Sequence, residues 1–213
     1  MNSPLFFESA GDERSTPKDF FDTLNAEFHF DIDCAASKLN HKCDLWFGED
    51  GVENDAIEAD WAAMTCFLNP PYSVAGGFVQ KARDEADKGA TVVLLLPVRS
   101  DTKWWHKYVW DKDTHLPGTP EPFQTVDVPD GYWRPGVRCR FLPGRLNFEL
   151  NVPETLRAWI KTEVAGGAPL VGLIKTTGLP KMAIERIVQD LPDEDLMESA
   201  PFPSCVVIFT KAS

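Results

Sequence analysis

Asn69-Pro70-Pro71-Tyr72 is the stretch of this chain whose residue types and order are best suited to chemistry. It follows the apolar run Thr65-Cys66-Phe67-Leu68, which reads as a short buried strand. The tetrapeptide therefore falls at a strand's carboxyl end, where open α/β sheets bind their ligands. Two successive prolines fix two φ angles and remove two backbone donors, leaving a rigid turn. Such a turn aims acceptors, the Asn69 side-chain oxygen and nearby carbonyls, at one point. A planar amine held there donates both hydrogens and keeps its nitrogen lone pair free to attack an electrophile. Tyr72 offers a flat face on which an aromatic base can stack. The plainer reading is an Asn-Pro turn that simply closes a strand.

Strands and helices alternate around this turn. Thr16-Pro17 before Lys18–Asn25 predicts an N-cap, a proline in the first turn and an amphipathic helix. Phe28–Asp33 alternates apolar and polar residues as a strand does, His41–Phe47 is a candidate second strand, and 48–60 is an acid-rich loop. Gly77–Lys88 reads as a helix and Thr91–Leu96 as a strand apolar on both faces, the mark of a parallel sheet covered by helices. Lys103–Trp110 continues as a helix. Val137–Phe148 looks like a hairpin turning at Pro143-Gly144, and Ser204–Thr210 supplies a last apolar strand. The pattern predicts an α/β fold with an open, mostly parallel sheet and helices on both faces. Residues 1–150 and 200–213 form the main domain in this reading, and 151–199 a small helical insertion before the last strand.

The 213 residues suffice for one large domain, and 43% hydrophobic with 25% charged residues excludes wholesale disorder. No apolar run approaches the length needed to span a bilayer, and the first residues lack a basic leader, so a soluble, cytoplasmic protein is expected. Five cysteines without a C-x-x-C pair, and four histidines without ligand spacing, predict neither a disulfide framework nor a metal site. The net charge of −12 argues on its own against a nucleic-acid partner. Divided along the chain it does not, because residues 1–60 hold 15 of the 33 acids and only 4 of the 21 bases. Residues 131–147 carry Arg134, Arg138, Arg140 and Arg145, no acid, and the aromatics Tyr132, Trp133 and Phe141. Lys103-Trp104-Trp105-His106-Lys107 forms a second basic and aromatic cluster. Arginines interleaved with aromatics suit phosphate contact and base stacking, although the same residues also serve to solvate a hairpin and fill a core.

Several motifs in one order make a resemblance specific. They are Ser15-Thr16-Pro17 with its helix, Phe30–Ser37 (Phe-Asp-Ile-Asp-Cys-Ala-Ala-Ser), Asp60-Trp61, Asn69–Ser73, Val92–Pro97, Ser100-Asp101-Thr102 with Trp105-His106, Phe141–Phe148 and Pro201–Phe209. With these the chain resembles the phage-type DNA N6-adenine methyltransferases, a Dam-like family, over about 14–110, 137–150 and the last strand. The resemblance implies a Rossmann-like methyltransferase fold and S-adenosylmethionine as methyl donor. It implies Asn69, Pro70, Pro71 and Tyr72 as the catalytic turn, with Asn69 also beside the cofactor. Asp33, Cys34 and Ala35 would form the first-strand loop beneath that cofactor, Thr16 and Pro17 would cover its methionine end, and Asp60 would lie near its adenine. The glycine-rich loop common among methyltransferases is absent, as it is in the family resembled, and Ala35-Ala36 stand in its place. The implied reaction is an in-line displacement at a sulfonium methyl, with double-stranded DNA as partner and the target base turned out of the stack.

Leu170–Leu191 reads as helix, tight turn at Gly178 and helix, with apolar residues forming one stripe across both. That resembles a helix-turn-helix whose second helix, Pro180–Asp190, presents Lys181, Glu185, Arg186 and Gln189 outward. Helix pairs that only pack against each other share the pattern. The same tetrapeptide type also serves cytosine-N4, RNA-base and protein-glutamine methyltransferases, and a non-catalytic DNA-binding regulator on this fold is a further alternative.

Overall fold

The computed structural model describes residues 14–110, 133–150, 152, 154–177, 179, 181–190, 197–200 and 203–212. Helix α1 (Lys18–Phe28) begins directly after Pro17, whose φ of −56° and ψ of 137° make it the cap residue, without a side-chain cap from Thr16. It ends three residues later than expected because His29 adopts a left-handed conformation and donates its N–H to the Asn25 carbonyl. The helix thereby takes the start of the expected Phe28–Asp33 strand, and β1 is reduced to Ile32–Asp33. The expected strand 41–47 does not form. Only isolated bridges join Trp46 to Asp33 and Phe47 to Glu53, which folds this segment against the edge of β1.

Strand β2 (Thr65–Leu68) leads through the prolines to a 3-10 turn over Tyr72–Val74 and then to α2 (Ala75–Lys88). Strand β3 (Thr91–Pro97) follows, and then five residues of π-helix, Trp105–Val109. The π-turn buries Trp105 and Val109 and leaves Lys103, His106 and Lys107 exposed. After β4 (Val137–Phe141) and β5 (Asn147–Glu149) come α3 (Glu154–Ala165), α4 (Leu170–Thr177), α5 (Lys181–Val188), β6 (Met197–Ser199) and β7 (Ser204–Phe209).

The main sheet has the order β1-β2-β3-β7-β4. β1, β2 and β3 are parallel, while β7 lies antiparallel between β3 and β4. The sheet is therefore mixed, a Rossmann-like α/β arrangement in which four of five strands point the same way. Alternation of side chains sends Cys66, Leu68, Val92, Leu94, Val207 and Phe209 to one face, where Val79, Ala82 and Ala86 of α2 cover them. Phe67, Val93, Val206 and Ile208 face the other way, onto Phe21 and Leu24 of α1. Both faces are thus buried, as the continuous apolar pattern of β3 demands, and each such Leu or Val contributes about 1.5–3 kcal/mol. Glu85 ties α2 to the segment before β2: it is buried, pairs with Lys81 at 2.6 Å and Lys88 at 2.8 Å, and accepts the Trp61 N–H. Burial pushes its carboxyl up, but the two lysines and the Trp61 N–H outweigh this and hold it below the usual carboxylate range.

Val137–Phe148 is not a hairpin. β4 pairs with β7, β5 pairs with β6, and Gly144 at φ +74° carries the chain from one sheet to the other. The cause lies in β7, whose six residues are all buried and which must be paired along both edges. The charged β4, with Arg138 and Arg140 exposed, closes the sheet as its edge strand. The helices α3, α4 and α5 gather around a separate apolar cluster that includes Leu156, Ile160, Leu173, Ile184 and Ile187. The expected turn at Gly178 and the helix start at Pro180 lie outside the described residues; α4 ends at Thr177 and α5 begins at Lys181. Among the described residues no helix is long and apolar enough to cross a membrane, and no group of His, Cys, Asp and Glu could hold a metal ion.

Candidate active site

A cleft of about 250 Å³ opens at the carboxyl ends of β1 and β2. Its walls come from four short segments: Arg14–Thr16 before α1, the Asp33–Ser37 loop, the Phe47–Ala56 loop and the Asn69–Tyr72 turn. Pro71, at φ −53° and ψ 132°, keeps the turn extended until the Val74 N–H reaches the Pro71 carbonyl.

Asn69 is partly buried, and its side chain is held from the N-terminal segment. Its Nδ2 donates to the Arg14 carbonyl at 2.8 Å and to the Thr16 hydroxyl at 3.1 Å. Among the described residues no donor is bonded to Oδ1. Thr16 is 2% exposed and Ser15 3%, so the segment that grips Asn69 is itself fixed in the core. The Arg14 guanidinium lies 5.4 Å from the Tyr72 ring centroid, and the Phe148 ring meets Tyr72 edge-on.

Asp33 is a buried carboxylate, 3% exposed, on the cleft wall. It accepts the backbone N–H groups of Ala35 at 3.3 Å and Lys42 at 3.1 Å, and so holds the two ends of the 33–42 loop. Burial pushes its carboxyl up to about 6, against the opposing pull of those N–H groups and of His41 and Lys42. Ala35, Ala36 and Ser37 line the cleft beside it, the two alanines with the smallest of side chains. Gly48 meets them from the opposite loop: a Cβ there would lie 1.9 Å from the Ala36 carbonyl oxygen, and its φ is +139°.

Three residues expected near the cofactor do not line the cleft. Cys34 is fully buried in the sheet core, where burial and the neighbouring Cys66 push its thiol far up. Pro17 caps α1, and the exposed Asp60 bonds the Ala62 N–H. The cleft instead takes Asn54, Asp55 and Ala56 from the acid-rich loop, with Phe47, Phe67 and Phe78 as apolar walls. Sequence reasoning missed these because 48–60 read only as an acid-rich loop. The usable signal was Gly48 and the Asn54-Asp55 pair, both typical of tight backbone turns.

The four arginines of 131–147 do not form one patch. Arg134 and Arg145 flank opposite ends of β4; Arg134 donates to the His106 carbonyl at 3.1 Å and Arg145 to the Ala200 carbonyl at 3.1 Å. Arg140 is engaged by both oxygens of Glu27, each at 2.6 Å, and Arg138 is exposed midway along the strand. Because Phe141 pairs with Cys205 and Pro97 with Ser204, the end of β4 reaches the same sheet edge as the Asn69 turn. Arg145 therefore lies toward that edge and Arg134 at the other end, while Lys103 precedes Trp104, whose ring packs beside Gly76 just after the Asn69 turn. On α5, Lys181 is exposed 3.4 Å from Glu185, and Arg186 is half-buried.

An acceptor-bearing turn at the carboxyl edge of such a sheet, over a cleft with a buried carboxylate, is compatible with a Rossmann-like methyltransferase fold. The chain belongs to the DNA N-6-adenine-methyltransferase (Dam) family, whose model matches residues 6–116. That match ends short of Phe141–Phe148 and the last strand. A DNA N-6-adenine-methyltransferase of Escherichia phage T1 is 30% identical over 93 residues, covering 43% of this chain and 38% of the relative. One of Haemophilus phage HP1 (strain HP1c1) is 36% identical over 77 residues, covering 36% of this chain and 43% of the relative. The matched part is thus well under half the length of either relative. No solved structure matches the chain.

Proposed function

We propose that the protein transfers a methyl group from S-adenosylmethionine to the N6 amine of adenine in double-stranded DNA. The observation that carries this reading is the Asn69 carboxamide, whose donors are held by Arg14 and Thr16 while its oxygen is kept as an acceptor. Family membership and the names of the two phage relatives support adenine over cytosine, RNA or a glutamine side chain.

The cleft's donor set suits the cofactor. The Asp33 carboxylate complements an ammonium or hydroxyl group, Ser15 and Ser37 offer hydroxyls, and Phe47 and Phe78 offer apolar faces for a purine. Bound there, S-adenosylmethionine would supply an electrophilic methyl on a sulfonium. The chain's own part is positioning: Asn69 Oδ1 and the carbonyls of the proline turn accept both amine hydrogens, so the nitrogen lone pair faces the methyl. The adenine must leave the stack to reach this edge. Lys103 and Arg145 are suited to phosphates beside the site, with Lys181 and Arg186 as contacts from the helical insertion 151–199. Arg134, Arg138 and Arg140 remain secondary candidates.

The test is incubation with methyl-labelled S-adenosylmethionine and unmethylated duplex DNA, followed by mass spectrometry of the nucleosides. N6-methyladenine is the expected product. N4-methylcytosine would overturn the substrate, and absence of label from DNA would overturn the reading.

A further inference from the structure

Resting on that reading, we infer that Thr16 and the Arg14 carbonyl are a positioning device that sets which end of the Asn69 carboxamide faces the substrate. A carboxamide is nearly symmetric in shape, and its two orientations differ only in where the donor and acceptor lie. Turned the wrong way, Asn69 would present N–H groups to an amine whose own hydrogens need acceptors. The Arg14 carbonyl decides the matter because it can only accept. With Nδ2 toward it, at 2.8 Å, the contact is a hydrogen bond; with Oδ1 toward it, two acceptors would face each other in a partly buried setting. Thr16 Oγ1 takes the second Nδ2 hydrogen at 3.1 Å. A hydroxyl used as an acceptor in this way must direct its own hydrogen elsewhere, and both residues lie on the cleft wall. Thr16 is 2% exposed, so the arrangement is built into the core and does not depend on a mobile surface group.

The device also makes the identity of residue 69 specific. An aspartate in its place would set a carboxylate oxygen against the Arg14 carbonyl. Thr16 could rotate to donate to it, but the main-chain oxygen could not. This chain therefore requires an amide at the first position of its tetrapeptide.

Thr16→Val, nearly the same shape without the hydroxyl, separates this role from a role in holding the cofactor. Single-turnover methyl transfer is expected to fall by about tenfold while the calorimetric Kd for S-adenosylmethionine stays within about twofold, and Thr16→Ser is expected to restore the rate toward wild type. Asn69→Asp is expected to lose at least as much rate as Thr16→Val. An undiminished rate in Thr16→Val, or a loss matched by an equal weakening of cofactor binding, would overturn the inference. A readout independent of activity is the nitrogen-15 NMR signal of the Asn69 side-chain amide. Both of its protons are expected to exchange slowly in the wild type, and one to become fast in Thr16→Val. Fast exchange of both in the wild type would overturn the positioning role even if methyl transfer to DNA is found. Slow exchange with no methyl transfer would instead locate the failure in the proposed function.

Discussion

The ring of Phe148 meets the ring of Tyr72 edge-on, with centroids 6.4 Å apart and planes at 80°. Phe148 lies on β5, the strand that leads into the helical segment, and is fully buried against Leu95 and Ala200. The root of that segment is thus packed directly onto the Asn69–Tyr72 turn.

Phe148→Ala should cost about 3–5 kcal/mol of stability, because it empties a closed site and removes the contact with the turn. Phe148→Leu keeps most of the volume and loses the ring edge. It should fold, bind S-adenosylmethionine with little change, and show a several-fold lower kcat/KM for DNA. Thermal melts with steady-state kinetics check both, and an unaltered kcat/KM in Phe148→Leu would mean that the Tyr72 contact does not support turnover.

Asp33 gives the site a pH dependence whose sign can be worked out. Its folded value of about 6 lies above the ordinary 3.8 because it is buried. Between those values the folded chain keeps a proton that the unfolded chain has released, so the stability this group contributes is complete below about pH 4. It falls as pH rises and is lost above about pH 6, a change of about 3 kcal/mol. Binding runs the other way. The ionised form best accepts the Ala35 and Lys42 N–H groups and best complements a cationic ligand, so affinity for S-adenosylmethionine should rise as pH passes about 6. Calorimetry from pH 5 to 8 should find this step in the wild type and lose it in Asp33→Asn.

Gly48→Ala should damage the cleft more than a methyl group ordinarily would. The new carbon would meet the Ala36 carbonyl 1.9 Å away, and the φ of +139° is one that alanine avoids. The 35–37 and 47–48 loops must then separate. The expected result is at least a tenfold weaker Kd for S-adenosylmethionine and a lowered Tm, measured by calorimetry and thermal melting. Wild-type affinity would show that the close approach of these loops is not needed.

What was legible in the sequence follows from which interactions are local. Thr65–Leu68, Thr91–Pro97 and Ser204–Phe209 announced themselves as buried strands because each is apolar on both faces. The Asn69 turn was legible because proline constrains the backbone whatever surrounds it. The pairing of β4 with β7 was not. Pro143-Gly144 is a good local hairpin signal, and only the need of a distant, wholly buried strand for a second neighbour overrides it. The same limit hid the grip of Arg14 and Thr16 on Asn69, which joins residues more than fifty positions apart. Asp55 could not be separated from Asp60 by composition; only the path of the loop brings the first to the cleft and leaves the second in solvent.

The dispersal of the arginines sets up the last prediction. Phosphate contacts release counterions, so each one lost should lower the slope of log K against log salt by about 1. Lys103→Ala with Arg145→Ala removes two cations toward the edge that carries the Asn69 turn, and the slope for duplex DNA should fall by about 2. Lys181→Ala with Arg186→Ala tests the helical segment in the same way. A fall in slope there would make α5 a DNA-contacting helix, and an unaltered slope would leave it a packing element. Arg140→Ala should change the slope less than either pair, because its guanidinium is already engaged by both oxygens of Glu27 at 2.6 Å. Titrations at four or five salt concentrations for the three variants would rank the surfaces. A larger loss from Arg140→Ala than from the Lys103 and Arg145 pair would mean that DNA lies along β4 and not across the carboxyl edge of the sheet.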